Sequence, residues 1–153
     1  GIKTKLYNAC KEHVATIPAA VAGVISDDIV METDTGEGNP GLFYEWVVSQ
    51  VSDGYTFEEE GEQEDGFGIH TLTVFIPKMT ASKNVILNGT RGGAEHTVVF
   101  TDRNGLPLLT GDNDEGATVS GIPGTNDRNG YTITIRYRAA KLLDSYTGAI
   151  PTS

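Results

Sequence analysis

The chain has one cysteine, Cys10, among its 153 residues, so no disulfide can form within it. No apolar run approaches the roughly 20 residues that a membrane-spanning helix needs, and residues 1–7 lack the apolar segment of a signal peptide. These absences exclude a disulfide-stapled secreted scaffold and a helical membrane protein. They favour a protein that assembles in a reducing compartment, without a membrane partner.

Positive charge is also scarce. The chain has 11 Lys and Arg against 21 Asp and Glu, which gives a net charge of -10. Grooves that hold nucleic acid cluster their basic residues, whereas here they are dispersed. The composition therefore excludes tight DNA or RNA binding, but it permits a surface past which a polyanion moves without sticking.

What the chain does contain is typical of β-structure. Nineteen glycines, many threonines and repeated Asn/Asp-Gly pairs divide it into short β-branched segments. We predict a mainly β fold, an antiparallel β-sandwich or small barrel flanked by one short α-helix, in a single domain over residues 1–153. Residues 139–153 show little periodicity, which predicts an extended arm that orders on contact with neighbours.

The clearest strand is 131–138, where Tyr and Ile alternate with Thr and Arg. This period of two predicts that the Tyr and Ile side chains face the core and that Arg136 and Arg138 face away. Residues 69–76 alternate in the same way. Between these strands, Thr80 stands where a helix N-cap belongs, and Asn88 with Gly89 predicts a left-handed stop.

Aromatic and β-branched side chains are dense over residues 42–52, which include Phe43, Tyr44 and Trp46. Because apolar residues occupy both faces, the pattern predicts either a central strand or a strand whose second face meets another subunit. Tyr44 and Trp46 are therefore candidate assembly residues.

Residues 58–65 form the densest charge run, with six carboxylates in eight positions. Its position between two predicted strands indicates a long hairpin with an acidic tip. The run is either a solvated loop or an electrostatic lining, and Arg136 and Arg138 either pair with it or are plain surface residues. A glycosidase pair would instead need one carboxyl in an apolar pocket. The candidate assembly or lumen residues in the run are Glu58, Glu59, Glu60, Glu62, Glu64 and Asp65.

The remaining motifs point to no catalytic centre, cofactor or metal. Cys10 and His13 have a C-x-x-H spacing but lack the further ligands of zinc and the third residue of a nucleophilic site. Residues 112–115 are acidic enough for calcium, yet such clusters are first of all loop formers. The glycines of residues 89–93 lack a phosphate-binding spacing.

The order of elements resembles the tail-tube class of bacteriophage virion proteins and injection-system tubes. The resemblance covers about residues 43–138. It consists of a strand ending at Pro77, a short helix from Thr80, the strand 97–101 with its turn at 102–105, and a second turn at 127–130 before the alternating final strand.

The resemblance implies subunits that join sheet edge to sheet edge into rings, commonly hexameric. The rings stack through loops and terminal segments, and an acidic lumen lets DNA pass as cargo. Ring-forming strands would then be residues 42–53 and 69–76, with 58–65 at a ring contact or the lumen. Residues 34–41 would form an inter-ring loop and 139–153 a docking arm. Other tail proteins would be partners, in a virion assembled in the bacterial cytoplasm.

Two other classes remain open. A monomeric carbohydrate-binding or adhesin sandwich would stack sugars on Tyr44, Trp46 and Tyr55, with calcium in its acidic loops. A phage neck, tail-completion or decoration protein would share the tube's traits. A hydrolase lacks a nucleophile and base pattern.

Overall fold

The computed structural model describes residues 2–36, 38–59, 68–90, 93–102, 105–124, 129–139 and 141–152. Strands dominate, with one α-helix and a 3₁₀ turn at Lys11–His13, which confirms the predicted mainly β fold with a single short helix. The elements are β1 (Ile2–Cys10), β2 (Val14–Thr16), β3 (Val24–Ile25), β4 (Val30–Met31), β5 (Tyr44–Val47), β6 (Ser49–Glu59), β7 (Gly68–Pro77), α1 (Ala81–Asn88), β8 (Glu95–Asp102), β9 (Pro107–Thr110), β10 (Ala117–Gly124), β11 (Gly130–Ala139) and β12 (Ser145–Tyr146).

The main sheet folds into two layers. The first layer has the strand order β5-β1-β8-β9-β12-β3, and the second layer has the order β10-β11-β7-β6. The chain crosses between the layers from β5 to β6, from β7 through α1 to β8, from β9 to β10 and from β11 to β12. β10 also pairs with β8 at its first two residues. The strands do not close into a barrel, so the sandwich alternative holds and the small-barrel alternative is wrong.

The main core lies between the layers. The first layer contributes Leu6, Trp46 and Phe100, and the second contributes inward-facing residues of β7, β10 and β11 such as Leu72 and Ile135. The prediction for β11 is confirmed, because its inward residues Tyr131, Ile133, Ile135 and Tyr137 are 1–4% exposed while Arg136 and Arg138 lie at the surface.

Helix α1 fills one end of this core with the buried side chain of Leu87. Gly121 on β10 leaves the space, because a Cβ there would lie 3.0 Å from a Leu87 methyl group. Thr80 caps the helix as predicted, since its Oγ1 accepts from Lys83 N at 3.2 Å. The predicted left-handed stop is wrong: Gly89 has φ -68°, and its amide donates to the Ile86 carbonyl.

A second core covers the outer face of the first layer. Phe43, Val99, Leu109 and Tyr146 pack there with isoleucines of the 17–29 segment. Residues 141–152, predicted as an arm, lie here against their own chain: β12 pairs with β9 and β3, and Phe43 N donates to the Pro151 carbonyl at 2.8 Å. Much of the first layer is thus covered on both faces by its own chain, although Lys5, Glu45 and Val47 at its β1–β5 end are exposed.

Candidate assembly surfaces

The outer face of the second layer is rich in hydroxyl groups. Directly paired residues of an antiparallel ladder point to the same side, so threonine and serine hydroxyls line up in rows across the four strands. Most residues of these rows are exposed or half-buried, but Phe75 is only 9% exposed. The rows are Thr56–Thr71–Arg136–Thr118 and Gly54–Thr73–Thr134–Ser120, followed by Phe75–Thr132–Ile122.

The second layer also ends in two unpaired edges. Within the described ranges, the 11-residue strand β6 pairs with β7 alone. At the other end, β10 pairs with β11, and residues 119–124 have no strand on their far side among the residues described. A groove of about 480 Å³ follows this far side, and Ile122 stands 65% exposed beside it. Thr90 and Gly93 form the other wall of this groove, and an edge without a strand partner favours pairing with another chain.

One predicted ring-forming segment is wrong. Residues 69–76 belong to β7, which is paired along both edges, with β6 on one side and β11 on the other. The other predicted segment, residues 42–53, divides between β5 at the rim of the first layer and the start of β6.

Trp46 and Tyr44 do not form an exposed aromatic surface. Trp46 is 4% exposed, and its Nε1 donates to Asn8 Oδ1 at 2.7 Å. The half-buried ring of Tyr44 meets it edge-on at 4.6 Å. Phe43 and Trp46 fill different cores of the same chain, whereas Val47 at the end of β5 is 59% exposed. A sugar could not stack on Trp46 without displacing the core.

The predicted acidic tip is described only at its base. Glu58 is exposed near the end of β6, and the backbone of Glu59 pairs with Gly68. Arg138 shares a row with Ile69 and Glu58 at the surface of the second layer, and Arg136 lies one row along. The structure thus brings Glu58, Arg136 and Arg138 onto one face. Glu60, Glu62, Glu64 and Asp65 lie outside the described residues.

A buried polar network lies on the inner side of the second layer, and no sequence motif predicted it. The imidazole of His70, 1% exposed, lies between the rings of Tyr55 and Tyr137, with each centroid 5.8 Å away. Its Nε2 is 2.9 Å from the Lys141 carbonyl, which can only accept, so Nε2 donates and Nδ1 accepts from Tyr55 OH at 2.6 Å. Burial lowers the pKa of His70, and the Lys141 carbonyl offsets part of the shift.

Asp112 stabilises the loop between β9 and β10 through hydrogen bonds to its side chain. Its Oδ1 accepts from the amides of Asp114 and Glu115, each at 2.7 Å, and its Oδ2 accepts from Tyr137 OH at 2.6 Å. Burial raises the pKa of Asp112, but these hydrogen bonds outweigh it and hold the pKa below its ordinary value. Both carboxylate oxygens of Asp112 thus accept hydrogen bonds from the same chain, as expected of a residue that stabilises a loop. Across the described ranges, no group of three or more His, Cys, Asp or Glu side chains could hold a metal ion.

Comparison with protein-family models, with curated proteins and with solved structures finds no match to this chain. No helix in the described part is long and apolar enough to cross a membrane.

Proposed function

We propose that the chain is a non-enzymatic virion structural protein of the tail-tube type. Its subunits self-associate into rings, commonly of six, which stack into a channel for DNA together with other tail proteins. The virion is assembled in the bacterial cytoplasm. The observation that carries the proposal is the pair of unpaired edges, β6 and β10, at opposite sides of the second layer.

Strand direction supports a closed ring over a symmetric dimer. The second layer has four strands, each antiparallel to its neighbour, so β6 and β10 run in opposite directions. Rotation about a ring axis keeps each strand's direction, and β6 of one subunit then meets β10 of the next in antiparallel pairing. The contact is heterologous, and such contacts generate rings when the rotation closes. Both edges are used, and every joint is the same.

Charge supports the passage of DNA. With a net charge of -10 and dispersed basic residues, an assembled ring would repel nucleic acid at most of its surface. The carbohydrate-binding alternative loses its main support, because the indole expected to stack on sugar is buried in the core.

Cross-linking between engineered thiols tests the joint. In a Cys10→Ser background, Thr56→Cys places an exposed thiol on β6 and Ser120→Cys places one on β10. Within one chain, these positions are three strand spacings apart, about 14 Å, which a short bis-maleimide does not span. We expect the double variant to give a ladder of covalent oligomers that ends at the ring size.

The single variants are the matched controls. Each single variant has a thiol on only one of the two strands that meet in the proposed contact, so neither should cross-link beyond background. Dimers from Thr56→Cys alone would mean that β6 pairs with β6 across a two-fold axis. That result would contradict the ring, as would a double variant that stays monomeric at every concentration.

A further inference from the structure

We infer that the hydrogen-bonded side chains of Trp46, Asn8 and His96 form an acid-sensitive switch. The switch keeps the β5–β1–β8 end of the first layer packed only while His96 is neutral. It goes beyond the proposed function, because the proposed contact between β6 and β10 uses none of these three side chains.

The three side chains join three neighbouring strands. Trp46 lies on β5, Asn8 on β1 and His96 on β8, and they are 4%, 7% and 2% exposed. Trp46 Nε1 is 2.7 Å from Asn8 Oδ1, and Asn8 Nδ2 is 3.2 Å from His96 Nδ1. His96 also pairs with Cys10 of β1 on one side and with Ala117 of β10 on the other. It therefore lies where the first layer meets the start of β10.

The order of donors and acceptors fixes the protonation state of His96. An indole Nε1 can only donate, so the oxygen of the Asn8 amide must face Trp46 and the nitrogen must face His96. That amide nitrogen can also only donate, so His96 Nδ1 must accept and carries no proton. His96 is therefore neutral, with its proton on Nε2, which makes no hydrogen bond with the described residues.

These hydrogen bonds cannot accommodate a proton on His96 Nδ1. It would place two N–H donors opposite each other, and turning the Asn8 amide over would only move the conflict to Trp46. His70 differs, because the Tyr55 hydroxyl that donates to its Nδ1 can rotate and accept from a protonated ring. Of the two buried histidines, His96 is thus the one whose protonation breaks a hydrogen bond.

The groups around His96 do not compensate a proton there. Burial lowers its pKa, His13 on the 3₁₀ turn lowers it further, and the nearby Ala9 carbonyl offsets only part of the shift. Cys10, its partner on β1, stays a neutral thiol because burial and the charge of Glu12 raise the pKa of Cys10. Its partner on β10 is an alanine, and His96 forms no ion pair with any described carboxylate. The unfolded chain therefore binds a proton more readily, and acid below pH 6.5 opposes the packed state.

Fluorescence tests the switch directly, because Trp46 is the only tryptophan of the chain. Between pH 7.5 and 4.5, we expect its emission to shift to longer wavelength as water enters the released site, with a midpoint below pH 6.5. His96→Gln should remove this shift, since its amide oxygen can accept from Asn8 and does not titrate. His70→Gln is the matched control, and it should keep the shift.

Asn8→Asp should move the midpoint to lower pH. Its carboxylate can accept from Trp46 and from a protonated His96 at the same time. If His96→Gln does not fold, the indole N–H resonance of Trp46 in the unchanged protein gives the same test, because it should move with pH as the bond to Asn8 is lost. An emission maximum or an indole resonance that stays constant down to pH 4.5 would overturn the inference, as would an unaltered midpoint in His96→Gln.

Discussion

The two layers of this molecule differ in how much of their surface their own chain completes. The first layer lies between the main core and a second core supplied by residues 17–31 and 141–152, and only its β1–β5 end is exposed on the outer side. The second layer has one buried face, a largely exposed face of hydroxyls and two edges that pair with no further strand among the described residues. The difference teaches that an apolar pattern alone does not locate an interface. Phe43 and Trp46 are buried within the monomer, while the hydroxyl-bearing face of the second layer is largely exposed.

We expect the largest difference in unfolding free energy between a substitution at Phe43, in the second core, and one at Thr132, on the outer face of the second layer. Phe43 is fully buried in the second core, so Phe43→Ala should lower the free energy of unfolding by about 3–5 kcal/mol. Thr132→Ala, on that outer face, should change it by less than about 0.5 kcal/mol. Urea denaturation of the two variants measures both. A small effect at Phe43 would mean that the first layer is not closed by its own chain.

Trp46 gives the next largest effect. Trp46→Phe removes the indole donor and leaves Asn8 Oδ1 without it in a buried site, which should cost about 2–3 kcal/mol in unfolding free energy. The same denaturation measurement detects the loss. An unchanged stability together with lost binding to a glycan array would instead favour the carbohydrate-binding alternative.

The hydrogen bond from Tyr137 to Asp112 should give a smaller change in stability. Tyr137→Phe removes the hydrogen bond to the Asp112 carboxylate and should cost about 1–2 kcal/mol. Tyr44→Phe is the matched control with an expected effect below about 0.5 kcal/mol, since its hydroxyl makes no hydrogen bond with the described residues. Equal losses in the two variants would show that the Tyr137–Asp112 bond contributes nothing specific.

The smallest expected effect is a pH dependence centred on His70. Burial holds its folded pKa below the ordinary 6.5, so the unfolded chain binds more protons between these two values. Stability should therefore be constant above pH 6.5 and fall as the pH drops below it. Unfolding free energies at pH 7.5 and 5.5 should differ less in His70→Gln than in the unchanged protein. His96, whose pKa is also lowered by burial, supplies the remaining slope. An identical slope in His70→Gln would contradict the assignment.

Local sequence signals predicted much of the fold. The alternation at residues 131–138 placed every side chain of that strand on its correct face, and Thr80 marked the start of α1. These features depend on neighbours in the chain, and the sequence carries that information directly. The left-handed stop at Gly89 failed because the helix ends instead through bonds from the Gly89 and Thr90 amides to preceding carbonyls.

The candidate surfaces depend on pairings between distant residues, which no local pattern encodes. The sequence pattern of residues 69–76 predicted a ring-forming strand, but in the structure β6 and β11 pair with the two edges of β7. The apolar residues on both faces of the segment with Phe43 and Trp46 allowed the prediction of a subunit interface. Nothing nearby in the sequence indicates that residues 141–152 return to pack beside Phe43. The rows of hydroxyls become visible only when four strands are set in register.

The most direct test of self-assembly is the mass of the purified protein by light scattering over a concentration series, with negative-stain microscopy of the same samples. We predict a particle of roughly 100 kDa, about six times the 16.3 kDa chain, that shows a ring with a central hole and extends by stacking at higher concentration. A monomer of 16.3 kDa that persists at every concentration would contradict the account.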